Sequence, residues 1–146
     1  MMTLGIGKPT NHKKWGEATA ILAGDGLLNR AYMIISEDIL QEKDSKMQNR
    51  KILAFSELAN AVDRMIAGEY VDTEFEGKEI SKDYLEYMHK NKTGALIRAS
   101  ARIGAILAGA SNQDLNKITK YAENIGLAFQ IKDDILSEIG DEKILR

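Results

Sequence analysis

The chain has 146 residues, 44% of them hydrophobic and only 6% aromatic, with one proline, no cysteine and a formal net charge of −2. This composition excludes disulfides and thiolate zinc sites, and it gives no electrostatic support to nucleic-acid binding. No apolar run approaches the roughly 20 residues that span a bilayer, so we expect one helical domain, 1–146, without a membrane span and in the cytoplasm.

Hydrophobic periodicity predicts four principal helices joined by short connectors. After a loop around residues 7–9, the helices are predicted over about 15–36, 44–72, 81–110 and from 112 onward. The predicted boundary signals are Asp44 or Ser45 for the second helix, a break at Gly77, Ser81 with Asp83 for the third helix, and Ser111 or Asn112 for the fourth. Short connectors favour an antiparallel helical bundle.

The fourth predicted helix has acids where its apolar stripe continues. The stripe consists of Leu115, Ile118, Ala122, Ile125 and Phe129. Its continuation reaches Asp133, with Asp134 beside it and Gln130 one turn below Asp134. Because an unpaired buried carboxylate is costly, this pair indicates a neutralising cation. The alternative is that the helix ends here and both acids reach water.

A similar polar interruption occurs in the third predicted helix. Lys92 lies on its apolar stripe, and Thr93 and Gly94 are poor residues for a helix interior. A weakened turn that presents an ammonium and a hydroxyl suits a cluster of anionic oxygens. The second helix also carries acids, Glu69 and Asp72, near its end. The alternative for Lys92 is that its stem packs while its ammonium reaches water.

Five blocks of sequence carry a specific resemblance. They are GKPTNH at 7–12, AILAGDGLL at 20–28, GEYVD at 68–72, KTGAL at 92–96 and FQIKDDIL at 129–136. Together, and in this order, they resemble the trans-isoprenyl diphosphate synthases, specifically the farnesyl and geranyl diphosphate synthases. The resemblance extends from about Gly7 to the last residue. Five ordered blocks are far more specific than a single pair of aspartates.

The resemblance implies an all-α, antiparallel helical bundle of the isoprenoid synthase type, truncated at both ends. The family's first aspartate-rich motif, DDxxD, precedes the block at 7–12 and has no counterpart here. Two further positions differ from the family pattern. Ser137 stands at the third acidic place of the second aspartate motif, and Glu69 stands where the GQxxD block usually has glutamine.

The resemblance also implies a reaction, in which an allylic diphosphate condenses with isopentenyl diphosphate in the presence of magnesium. The implied site residues are Asp133 and Asp134 for Mg²⁺, Lys92, Thr93 and Gln130 for catalysis, and these three with Asp72 and Glu69 for substrate binding. In family members the first two helices form a dimer interface, so we expect a homodimer or larger self-association. We expect the chain by itself to have little or no synthase activity.

Two other functions remain open at the level of sequence. The first is a non-catalytic partner subunit that dimerises with a complete synthase through the first two helices. The second is a small metal-binding helical protein unrelated to prenyl transfer, against which the ordered blocks argue strongly. Separately, Glu86 and His89 form the ExxH pair found in di-iron bundles. That site needs a second such pair, and the other histidine, His12, has no glutamate three residues before it.

Overall fold

The computed structural model describes residues 4–5, 8–75 and 81–139, and within them every side chain except those of residues 4, 5, 82, 86, 89, 134 and 137–139. The described elements are β1 Leu4–Gly5, β2 Lys8–Pro9, α1 Asn11–Trp15, α2 Glu17–Gln41, α3 Ser45–Phe75, α4 Lys82–Asn91, α5 Gly94–Ala108 and α6 Asn112–Ile139. The prediction of an all-α fold is therefore confirmed. The predicted break at Gly77 lies outside the described residues.

The start of the chain differs from the prediction in two respects. The predicted loop contains a short antiparallel ladder, in which Leu4 pairs with Pro9 and Gly5 with Lys8. The helix predicted over about 15–36 is α2, which ends at Gln41, and a separate short helix, α1, precedes it because Gly16 adopts a φ of +87° between them. A side chain disfavours that backbone conformation, so the glycine permits the break.

The described residues form two compact units, one reaching to Glu42 and the other covering 43–139. In the first unit, α2 has no buried residue, and Ile21, Leu22 and Leu27 are 64–74% exposed. No helix in the described part of the chain is long and apolar enough to cross a membrane.

Three predicted helix starts in the second unit have the expected caps. The accepting atoms and their backbone donors are Asp44 Oδ1 with Met47 N at 2.9 Å, Ser81 Oγ with Tyr84 N at 3.4 Å, and Ser111 Oγ with Asp114 N at 3.2 Å. Each cap satisfies an amide that the first helical turn leaves without a partner. Gly109 ends α5 with a φ of +79°, as a left-handed glycine commonly does.

The helix α3 runs antiparallel to the line formed by α4 and α5. Near one end, Glu57 pairs with Arg102, and near the other, Gly68 lies against Lys92. Between these contacts, Ala61, Ala95 and Ala99 form a buried cluster, against which Leu96 and Ile103 pack. Because the buried side chains are small, the helix backbones can lie close together.

The helix α6 runs antiparallel to α5. Arg102 bonds to Thr119, Arg98 bonds to Glu123, and the Cβ position of Gly126 lies 3.1 Å from the Cα of Gly94. Residue numbers thus rise along α6 as they fall along α5. This register brings the C-terminal part of α6 past the start of α5 and towards α4, against which α6 also packs.

The buried face of α6 includes Leu115, Ile118 and Ala122 of the predicted stripe but departs from the stripe further along the helix. Ala122, Gly126 and Gln130 are buried, whereas Ile125 and Phe129 are 46% and 53% exposed and Asp133 is exposed. The prediction that Asp133 faces inward is therefore wrong. The actual face is rotated by one residue, because the close approach of Gly126 to Gly94 turns that side of α6 towards its neighbour.

Candidate functional site

The break between α4 and α5 is the local feature on which the candidate site depends. Lys92 and Thr93 separate the two helices, as their sequence predicts. Each helix is hydrogen-bonded up to the break, since Lys92 N donates to Met88 O at 2.7 Å and Ile97 N donates to Thr93 O at 3.2 Å. Lys92 thus ends α4, and Thr93 begins α5.

A glycine on α3 brings this break close to two acids. A Cβ on Gly68 would lie 2.4 Å from Lys92 N and 2.8 Å from the carbonyl carbon of Asn91. Such distances are well inside van der Waals contact, so only a residue without a side chain fits at this crossing. The next residue on α3 is Glu69, and Asp72 follows one turn later. The close approach therefore places both carboxylates beside Lys92.

Lys92 forms ion pairs with both of these acids. Its Nζ donates a short hydrogen bond to Asp72 Oδ2 and lies 3.5 Å from Glu69 Oε2. Burial by itself lowers the pKa of Lys92, but the hydrogen bond to Asp72 and the charges of Asp72 and Glu69 outweigh it and raise that pKa above 10.5. Lys92 is therefore a charged ammonium. The alternative for this residue was that its stem packs while its ammonium reaches water. In the structure the ammonium instead forms ion pairs with Asp72 and Glu69.

Gln130 belongs to the same region of the fold. It lies on α6 one turn after Gly126 and is only 6% exposed. The antiparallel register of α5 and α6 places this turn beside the start of α5, where the Lys92–Thr93 break lies. Among the described residues, no hydrogen bond joins another group to the Gln130 amide. An amide both donates and accepts hydrogen bonds, so a buried Gln130 could bind a polar ligand.

The two aspartates predicted to bind magnesium lie on α6 just beyond Gln130. Asp133 is exposed. Asp134 has a helical backbone, and its side chain is among those that the structure does not describe. No group of three or more acids, histidines or cysteines that could hold a metal occurs within the described residues. Mg²⁺ is commonly held by one or two carboxylates together with substrate phosphates. The donor set on α6 fits that mode rather than an all-protein cage.

A network of ions that sequence reasoning did not find joins α3, α5 and α6. Arg102 forms two hydrogen bonds to the Glu57 carboxylate, at 2.5 and 2.9 Å, and a third to Thr119 at 2.6 Å. The hydrogen bond from Arg102 and the positive charges around Glu57 lower the pKa of this carboxyl. The partners lie 45 and 17 residues from Arg102, so no local spacing reveals the network. It holds the three helices in the register that places the site.

A groove of about 350 Å³ lies beside this network and is lined by residues of α3, α4, α5 and α6. The residues that line it are Arg64, Lys90, Gly94, Arg98, Glu123, Asn124 and Leu127. None of the predicted site residues is among them, but Lys90 and Gly94 flank the break at Lys92–Thr93. The groove therefore borders the predicted site.

Comparison with known proteins identifies the family. The polyprenyl synthetase family profile matches residues 7–146. Farnesyl diphosphate synthases from Escherichia coli and Geobacillus stearothermophilus are 46% and 43% identical, over 95% and 94% of this chain and 46% of each relative. The crystal structure of an FPP/GFPP synthase from Zymomonas mobilis superposes with a TM-score of 0.85 at 33% identity, covering 96% of this chain and 50% of that one.

The chain belongs to the polyprenyl synthetase family, and its fold is that of the isoprenyl diphosphate synthases. The family resemblance inferred from the five sequence blocks is thereby confirmed. The chain spans about half the length of the curated relatives that it matches. Membership of this family also excludes the unrelated di-iron protein, whose proposed ligands Glu86 and His89 have side chains outside the described residues.

Proposed function

We propose that this chain is a portion of a polyprenyl diphosphate synthase of the farnesyl or geranyl type, which condenses an allylic diphosphate with isopentenyl diphosphate. In this proposal the break between α4 and α5 holds the diphosphate of the allylic substrate. One observation carries the proposal: a charged, partly buried lysine lies at a helix break, held there by Asp72, in a member of this family.

Each residue of the break has a role that follows from its chemistry. The Lys92 ammonium binds the diphosphate and stabilises the negative charge that grows on it as the allylic carbon–oxygen bond breaks. The Thr93 hydroxyl donates to the same oxygens. Gln130 orients the substrate with its amide, and its carbonyl oxygen faces the developing allylic cation. Asp72 holds Lys92 in position through their direct hydrogen bond.

Asp133 and Asp134 are the residues that would hold magnesium in this proposal. Both are carboxylates on α6, one turn beyond Gln130. A bound Mg²⁺ supplies positive charge to the diphosphate oxygens and so makes the diphosphate a better leaving group. Family members carry a first aspartate-rich motif that this sequence lacks. We therefore propose that the chain alone has little or no synthase activity, because the leaving group is not held from both sides.

We further propose that the chain associates with a second copy through its first two long helices. Ile21, Leu22 and Leu28 lie on one side of α2 and are exposed, which supports this association. Scattered exposed apolar residues are ordinary, but several on one helix indicate a surface that another chain covers. Size-exclusion chromatography with light scattering measures the assembly directly, and a well-folded monomer would contradict this part of the proposal.

Pyrophosphate binding by isothermal titration calorimetry tests the proposed site. Lys92→Gln is expected to weaken binding at least about tenfold, since a charge-assisted hydrogen bond contributes roughly 1.5–3 kcal/mol. Lys120→Gln is the matched control, because Lys120 is an exposed lysine of α6. Equal affinities in the two variants would refute the assignment of Lys92.

A product assay tests the proposed lack of turnover. The isolated chain is incubated with dimethylallyl diphosphate, labelled isopentenyl diphosphate and Mg²⁺, and the labelled prenyl products are extracted. We expect negligible product. Clear magnesium-dependent formation of a longer prenyl diphosphate would contradict this expectation while supporting the reaction assigned to the family.

A non-catalytic partner subunit is the second candidate, and the ion pair between Glu69 and Lys92 favours it. Glu69, at the position of the usual glutamine, forms an ion pair with Lys92 and so competes with a diphosphate for the same ammonium. Co-purification with a complete synthase distinguishes the two functions. A stable hetero-oligomer whose activity does not depend on Lys92 of this chain would favour the partner subunit.

A further inference from the structure

The ion pairs of Lys92 differ in what they contribute. Asp72 makes the direct hydrogen bond to Nζ and is the less exposed acid, at 37% of its side chain. Glu69 lies at 3.5 Å and is 58% exposed. Asp72 is therefore sufficient to orient the ammonium, whereas Glu69 chiefly adds a negative charge.

The local charge of this cluster is negative. One ammonium faces two carboxylates, so Lys92, Glu69 and Asp72 together carry a net charge of −1. The close approach of Gly68 to the backbone of Lys92 keeps the helix that carries both acids next to this ammonium. A polyanion that approaches Lys92 therefore meets the field of both carboxylates.

We propose that Glu69 makes this site selective for a metal-complexed diphosphate over a free one. This inference rests on the proposed role of Lys92 in diphosphate binding. A free diphosphate carries several negative charges and is repelled by Glu69 in proportion to them. A diphosphate that carries Mg²⁺ has two fewer negative charges, so the same carboxylate opposes its binding much less. Asp72, which holds Lys92 in position, does not have this purely repulsive role.

The expected effect follows from Coulomb's law. Two unit charges about 6 Å apart in a water-like medium interact by an energy that corresponds to roughly a threefold change in affinity. Because free pyrophosphate carries two to three charges near the site, removal of the Glu69 charge is expected to raise its affinity about tenfold or more. For the magnesium complex the gain is expected to stay within about threefold.

The test compares pyrophosphate binding to the wild-type chain and to Glu69→Gln, by calorimetry, once in EDTA and once in saturating Mg²⁺. Asp63→Asn is the matched control, since Asp63 is an exposed acid on the same helix and its replacement changes the net charge equally. Circular dichroism establishes that each variant retains its helices. Glu69→Ala, which also removes the charge, is expected to behave in the same direction.

The outcomes separate this inference from the proposed function. A gain in Glu69→Gln that is much larger for free pyrophosphate than for its magnesium complex supports the selectivity. An unchanged affinity, or an equal gain for both ligands, overturns it, while a loss of binding in Lys92→Gln still supports the proposed site. If Lys92→Gln binds as well as the wild type, or if no variant binds, the proposed function and this inference both fail.

Discussion

Gly68 provides the sharpest test of how the site is assembled. In Gly68→Ala the new Cβ would lie 2.4–2.9 Å from three backbone atoms of Asn91 and Lys92. Backbone atoms cannot rotate away, so we expect a steric cost of about 2–3 kcal/mol, near the top of the usual range for overpacking. Alanine returns about 1 kcal/mol because it is a better helix residue than glycine. The expected net loss in the free energy of unfolding is about 1–2 kcal/mol.

Gly104→Ala is the matched control for this prediction. Gly104 lies within α5, and a Cβ there meets nothing within 4 Å. The helix preference of alanine then acts alone, and we expect a gain of about 0.5–1 kcal/mol. Urea titration followed by circular dichroism at 222 nm measures both changes. A Gly68→Ala variant that is as stable as Gly104→Ala would refute the argument that close backbone contact at Gly68 positions Lys92.

Two further predictions concern the framework around the site. The hydrogen bond from Arg102 lowers the pKa of Glu57 below its ordinary 4.5. The pair therefore contributes its full stability above about that pH and loses it as the pH falls through the lower folded-state pKa. In Glu57→Gln the free energy of unfolding, measured by urea titration, should fall less steeply as the pH is lowered, and an unchanged slope would contradict the role of the pair. Asp44→Ala removes the cap on Met47 N and should lower the free energy of unfolding by about 1 kcal/mol, whereas Asp44→Ser should lower it little. Thermal denaturation of the two variants checks this difference, and equal losses would count against the cap.

The site forms at a break between two helices, α4 and α5, rather than in a cavity. Lys92 and Thr93 weaken one helix, and Gly68 lets another helix come into contact with that weak point. Two acids of that helix, Glu69 and Asp72 of α3, then form ion pairs with Lys92. The groove lined by Lys90 and Gly94 borders this break, although none of the predicted site residues lines it.

Much of this arrangement could be predicted from local sequence. The caps at Asp44, Ser81 and Ser111 and the break at Lys92–Thr93 depend on residues within one helical turn of each other, so their spacing was informative. The family followed from five blocks in a fixed order, and the family comparison confirms it. The roles of Lys92, Thr93, Gln130, Asp72, Glu69, Asp133 and Asp134 were implied by that resemblance and stay predictions.

The tertiary structure decided which faces of the helices are buried and which charges meet. Apolar periodicity on α6 pointed to Ile125 and Phe129, yet the contact between Gly126 and Gly94 buries Gln130 instead. Likewise, Lys92 and Asp72 are 20 residues apart, and their ion pair exists because a glycine allows two helices to touch. Local sequence therefore determined where helices begin, end and break. The rotation and register of each helix depend on contacts between residues far apart in the chain, and packing alone sets these contacts.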